Sequence, residues 1–286
     1  RTLVVAGGGS STRGIYGAYY GGGGGGGEVL TGTPSLTAGS APSIRVGQGG
    51  LGTREGNNLT GNPGQASSFG AVASARGGAA YPNTMFGGSS GNGNLGGNSG
   101  ADGDQDCADD GCAAGGGGGA GGAGVGMNAG PGVTSNITGS LIMYGSGGVG
   151  LKYNFSIAGL EVGVGQSGGA TRTATSFTDA LPNRGGGGAD AAATTTNAGF
   201  VGAGSNGGSG VVIVRYTPIT TISFDANGGT GSMPAQVVTT GVARNLNANT
   251  FTRTGYSFFR WATEPGGGGT TYTNSQSVTL TADVTL

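Results

Sequence analysis

The chain has 286 residues, of which 73 are glycine and only 9% are charged, with a net charge of −1. It has no histidine, and Lys152 is its sole lysine. This leaves no basic footprint for nucleic acid or anionic lipid, and no run of about 18 apolar residues for direct membrane insertion.

In chain order, Leu3-Val4-Val5-Ala6 predicts a strand that runs into Gly7-Gly8-Gly9. Tyr16, Tyr19 and Tyr20 precede a heptaglycine, Gly21 to Gly27. Ser43 to Val46 alternates and ends in Gly47-Gln48-Gly49-Gly50, and Ser67 to Ala73 is a further strand candidate. Residues 87–100 and 111–126 are glycine-dense, Ile137 to Tyr144 and Leu160 to Val164 predict strands, and Gly185 to Gly188 is another run. Val211 to Tyr216 is the strongest strand signal of the chain.

After that point the composition changes. Nine of the 73 glycines follow Tyr216, and the remaining 64 precede it. The shift divides the chain into a glycine-rich domain over 1–216, a linker over 217–220 and a second module over 221–286. In the second module, Thr221 to Asp225 alternates as a strand, Asn227-Gly228-Gly229 signals a turn, and Gln236 to Thr239 predicts another strand. Phe251 to Trp261 is dense in aromatics, with Tyr256, Phe258 and Trp261 expected in the core. Gly266 to Gly269 reads as a loop and Val278 to Leu280 as a strand.

No helical period occurs, and glycine does not recur at every third residue as collagen requires. Each ordered glycine costs roughly 0.5–1 kcal/mol more than alanine, so 64 of them add on the order of 30–60 kcal/mol. Glycine has no side chain to bury, so backbone hydrogen bonds must carry much of the order. A three-fold extended helix leaves its amides and carbonyls pointing outward, and glycine alone lets such helices pack side by side. The seven glycines Gly21 to Gly27 would span roughly 22 Å in that form. The expected fold is therefore mainly β: a glycine-rich β-sandwich carrying loops, a bundle of polyglycine-II-type helices, or a mixture.

Chemistry-bearing residues are few. Without histidine no Ser-His-Asp or Cys-His arrangement exists, and no lysine-serine pair follows the heptaglycine as a phosphate loop needs. The expectation is no enzyme and no cofactor, with calcium as the one candidate ligand. Asp102, Asp104, Asp106, Asp109 and Asp110 place five of the thirteen acids in nine residues. Alternating aspartates resemble the start of a calcium loop, but Cys107 stands at the position of the loop glycine and Ala113 at that of the final glutamate. An irregular calcium site and a solvated acidic loop are the two readings. Cys107 and Cys112 form either a short local disulfide, suited to an oxidising setting, or two reduced thiols. Tyr16, Tyr19 and Tyr20 either cap a glycine bundle or serve as surface aromatic anchors for a host glycan or protein.

Two resemblances rest on particular residues. Leu3 to Gly9, Val46 to Gly50 and Gly207 to Tyr216 resemble the glycine-rich domain of bacterial surface proteins and phage tail-fibre tips. Phe224, Asn227, Gly228, Gly229, Met233, Pro234, Gly255, Tyr256, Phe258, Trp261, Tyr272 and Asp283 to Leu286 resemble the Listeria–Bacteroides repeat of internalin-type proteins. The second resemblance implies a β-grasp-like module in extracellular bacterial proteins, often in tandem. Arg260 departs from it, standing where that family usually has glycine. The repeat normally continues its last strand past the position of Leu286, so the expectation is a protein that runs on.

Together these readings lead to an extracellular or cell-surface protein. The first function is a structural subunit or stalk of a bacterial fibre or surface adhesin, self-associating through backbone hydrogen bonds. The alternative is the receptor-binding tip of a phage tail fibre.

Overall fold

The computed structural model describes residues 1–11, 22–36, 40–52, 61–71, 73–79, 86–94, 113–154, 159–162, 164–171, 178–189 and 204–286. Among them it is mainly β, with short strands in small sheets and no α-helix. None of these residues forms a helix long and apolar enough to cross a membrane. The chain divides into two compact units, Arg1–Arg215 and Tyr216–Leu286.

The first unit is organised around β1 (Thr2–Val5). Leu3, Val4 and Val5 are fully buried, which explains a strand apolar on consecutive residues rather than alternate ones. β1 pairs antiparallel with β2 (Val29–Gly32) on one edge and β10 (Val211–Val214) on the other. The two apolar ends of the glycine-rich section thus join in one sheet, with Leu3 opposite Ile213.

Each face of this sheet has its own cover. Leu3 and Val5 pack with Val29, Ala120, Ile137 and Tyr144, beside the hairpin of β6 (Val133–Ser135) and β7 (Ile142–Tyr144). Val4 and Ala6 face Phe69 and Ala75. These belong to β4 (Ser67–Phe69) and β5 (Ala73–Ala75), which pair with β3 (Ile44–Arg45) in a second three-stranded sheet. Burying a Leu or Val side chain contributes roughly 1.5–3 kcal/mol, so β1 anchors the unit from both faces. A third apolar cluster, Ala129, Val149, Ala170, Ala180 and Ala189, lies beside β8 (Leu151–Asn154) and β9 (Gly159–Val162).

Two predicted strands are interrupted by turns. Gly70 has φ +54° and turns the chain between β4 and β5, which breaks the span Ser67 to Ala73. Gly139 (φ +98°) donates its amide to Asn136, which breaks the span Ile137 to Tyr144 and leaves Ile137 in the turn, still buried.

The second unit holds three small sheets. β11 (Ile219–Ser223) lies between antiparallel β12 (Gln236–Thr239) and parallel β17 (Val284–Thr285). β13 (Arg244–Asn245) pairs with β16 (Ser277–Val278), and β14 (Trp261–Glu264) with β15 (Gly268–Tyr272). β11 begins inside the segment 217–220 expected as linker. Gly266 to Gly269 is not a plain loop: Pro265–Gly267 makes one 3-10 turn and β15 starts at Gly268. The turn at Asn227-Gly228 is formed with both residues left-handed, φ 44° and 82°, and Gly229 donates to Ala226 at 2.8 Å. Its core is Ile222, Val238, Leu246, Trp261, Val278 and Leu286.

Candidate functional site

The strands of the first unit lead directly into glycine runs, and the runs carry its distinctive geometry. From Gly23 to Glu28, successive amides donate to Gly115, Gly188, Ala79, Gly118, Gly185 and Arg76, at 2.7–3.0 Å. The partner segment recurs every third residue: Gly115 then Gly118, Gly188 then Gly185, Ala79 then Arg76. The carbonyls follow the same rule. Those of Gly23 and Gly26 accept from Gly88 and Gly91, those of Gly25 and Glu28 from Gly9 and Ala6, and that of Gly24 from Gly148. Run 22–28 is therefore bonded to six surrounding segments.

Run 6–11, which continues β1, behaves alike. Its amides donate in turn to Glu28, Gln65, Gly208, Gly25, Asn62 and Ser205. Its carbonyls at Gly7, Gly8 and Gly9 accept from Gly78, Gly50 and Gly188. Runs 6–11 and 22–28 are neighbours and share two further neighbours, 76–79 and 185–188. That is the relation between adjacent points of a hexagonal lattice.

Cross-bonds extend the lattice into rows. Gly64 donates to Gly78 and Ala79 to Ser89, both at 2.9 Å, joining 62–65, 76–79 and 87–91. Gly208 to Gly186, Gly187 to Ser146 and Gly147 to Gly130, at 2.8–2.9 Å, join 205–208, 185–188, 145–148 and 127–130. The middle row holds 47–50, 6–11, 22–28 and 114–118, tied upward by Gly118 to Gly88 and downward by Gly117 to Gly148 and Gly207 to Gly50.

Close approach dictates the sequence here. A Cβ on Gly22 or Gly25 would strike the carbonyl of Phe86 or Ser89. On Gly23 or Gly26 it would strike Gly148 or Gly145, and on Gly24 or Gly27, Gly9 or Ala6. None of these six glycines has a left-handed φ, so space and not handedness requires them.

Sparse polar side chains finish the ends of the runs. Ser10 Oγ accepts from Asn62, Asn206 Oδ1 from Gly52 and Asn92 Oδ1 from Val29. Asn94 Nδ2 donates to Gly119 and Ala120. Buried Glu28 accepts the Arg76 amide through Oε2 at 2.7 Å and pairs with the Arg76 guanidinium at 3.5 Å. The sequence reading passed over these residues; their signal is a lone Ser, Asn or Glu at the margin of a glycine run.

The residues singled out from sequence fall elsewhere. Asp102, Asp104, Asp106, Asp109, Asp110, Cys107, Cys112, Tyr16, Tyr19 and Tyr20 all lie outside the described residues. In the second unit, Trp261 is buried against Phe224 and Phe258, each with ring centroids 4.9 Å away, and Phe251 at 6.2 Å. Tyr256 is not in that core: it is 69% exposed on a loop, with the Arg253 guanidinium stacked on it. A shallow groove beside β17 is lined by Thr221, Ser223, Asp283, Val284 and Thr285. Asp283 there accepts the Thr221 amide at 2.7 Å, a structural role.

The glycine-rich domain model matches residues 1–217, three quarters of the length, spanning every run just described. The chain belongs to the glycine-rich domain family. The Listeria–Bacteroides repeat domain follows over residues 221–286 and takes in all the strands from β12 to β17. No curated protein and no solved structure matches the chain. Within the glycine-rich domain, the family's composition is explained by the backbone lattice. Within the repeat, Phe224, Phe258 and Tyr272 are explained by packing around Trp261, and Gly228 by the Asn227 turn.

Proposed function

We propose that the chain is a structural, non-enzymatic segment of an extracellular bacterial fibre or surface adhesin. Its glycine-rich domain is read as a polyglycine-II-type bundle. The observation that carries this is the three-residue recurrence of hydrogen-bond partners along runs 6–11 and 22–28. A three-fold extended helix has three residues per turn and no internal hydrogen bonds, so its partners must rotate among neighbours in that way.

Such a bundle suits load-bearing and protease resistance. Its cohesion comes from backbone bonds between segments far apart in sequence, and it presents little charge. A three-fold extended helix at the outside of such a bundle turns some of its amides and carbonyls away from its neighbours, where a second copy can bond. Self-association into a filament follows, without metal or cofactor. The Listeria–Bacteroides repeat, a domain of surface proteins, supports placement outside the cell. With no histidine and one lysine, the chain has few carriers of proton transfer near neutral pH.

Electron microscopy of the native protein tests the reading. Filaments with a constant subunit rise are expected. Discrete monomers or compact trimers would remove the filament and favour a tip adhesin.

A further inference from the structure

Residues 252–260 form a nine-residue stretch in which every residue is exposed. It carries Arg253, Tyr256, Phe258, Phe259 and Arg260. Phe258 turns inward onto Trp261 and pins the loop to the core. Its neighbours turn outward: Phe259 is 81% exposed and Tyr256 69%.

The two arginines are held on these rings. The Arg253 guanidinium carbon sits 4.4 Å from the Tyr256 ring centroid, and that of Arg260 sits 5.2 Å from the Phe259 centroid. Arg260 Nη2 also donates to the Gly267 carbonyl at 3.1 Å. The ring supports one side of each guanidinium, and the N–H groups not used within the loop, all but the Arg260 donor to Gly267, can meet a carboxylate. Neither loop arginine forms an ion pair with a described residue, the pair found there being Arg76 with Glu28. Two ring-supported cations and two outward rings thus share one loop.

We propose that this loop binds acidic polysaccharide. Arg253 and Arg260 take sugar carboxylates through their forks. Tyr256 and Phe259 lie against the C–H faces of the pyranose rings. An acidic peptide would satisfy the charges, but it would leave the two outward rings unused, and the loop offers it no strand edge, since β14 starts only at Trp261. Rings and guanidiniums are what the loop offers. The proposal is independent of filament formation, since a stalk and a tip can both carry it.

The test is binding of the full chain to polygalacturonate oligomers, with neutral dextran and poly-glutamate as comparisons. Polygalacturonate is expected to bind, and dextran not. The double variant Arg253→Ala/Arg260→Ala is expected to lose about tenfold or more in affinity. Arg253→Lys/Arg260→Lys keeps the charge but not the fork, and should restore only part of that loss. Tyr256→Ala/Phe259→Ala should weaken polygalacturonate several-fold and poly-glutamate hardly at all. Unchanged Trp261 fluorescence shows that each variant keeps its core. No binding to polygalacturonate overturns the proposal, as does binding that ignores the arginine variants. Equal binding of poly-glutamate with no effect of the ring variants also overturns it, in favour of simple charge attraction.

Discussion

The amide of Gly24 donates to the carbonyl of Gly188 at 2.7 Å, across two segments far apart in sequence. No side chain stands between them, and none can: a Cβ on Gly24 would strike the carbonyl of Gly9 on a third segment. The same residue is thus held by one neighbour and sterically restricted by another. Its identity follows from packing.

Gly24→Ala should therefore destabilise the first unit by at least about 3 kcal/mol, the upper range of overpacking, because backbone must move to admit the methyl. Gly241 is the contrast. It has φ +72° and open space where a Cβ would go. Gly241→Ala should cost only about 1 kcal/mol, from left-handed strain. Gly241→Asn should cost less still, whereas Asn at 24 should be no better than Ala. Denaturant midpoints of the four variants check this ordering.

Glu28 separates a hydrogen bond from an ion pair. Its carboxylate accepts the Arg76 amide, while its own amide donates to the Arg76 carbonyl at 2.9 Å. The Arg76 side chain is 79% exposed and Glu28 only 11% at its side chain. Glu28→Ala leaves a backbone amide without its partner and should cost about 1–3 kcal/mol. Arg76→Ala removes only a solvated charge and should cost below about 1 kcal/mol. Glu28→Gln, which still offers an oxygen, should fall between. Chemical denaturation of the three variants decides whether the amide or the charge matters.

Much of the strand framework is legible in sequence because side chains announce it. Leu3 to Ala6 and Val211 to Val214 are apolar islands in a polar, glycine-rich chain, and Leu3 to Val5 pair with Val211 to Ile213. Asn227-Gly228 forms its turn because few other pairs accept two left-handed residues in succession. What stays hidden follows from glycine itself. A run such as Gly22 to Gly27 has no side chains to mark its neighbours, so the lattice order cannot be read from it. Ser10, Asn92 and Glu28 hold part of that information, but only as single residues. The aromatic stretch near Trp261 misleads for another reason. In an irregular loop no period divides inward from outward rings, so Phe251 and Trp261 pack inside while Tyr256 and Phe259 face water.

Amide hydrogen exchange should invert the usual expectation for glycine-rich sequence. The amides of Gly24 to Glu28 and Gly7 to Ser10 are buried and bonded to segments on several sides. They should exchange among the slowest in the first unit, at rates approaching its global unfolding. Arg253 to Arg260 is exposed throughout and should exchange fast. Exchange read residue by residue would show this. Fast exchange across Gly24 to Gly27 would mean that the lattice opens locally.

Trp261 is the only tryptophan, so its fluorescence reports the second unit alone. Its ring fills the centre of that core, and Trp261→Ala should cost about 3–5 kcal/mol. Its Nε1–H is buried with no partner among the described residues. A buried unpaired donor is itself unfavourable, by about 1–3 kcal/mol in proteins. Trp261→Phe removes that donor, keeps an aromatic ring against Phe224 and Phe258, and loses only part of the volume. It should therefore be more stable than Trp261→Ala by at least about 2 kcal/mol. Circular dichroism during chemical denaturation measures both variants without the lost fluorophore. Equal destabilisation by Phe and Ala would mean that this core depends on the indole itself and not on aromatic volume.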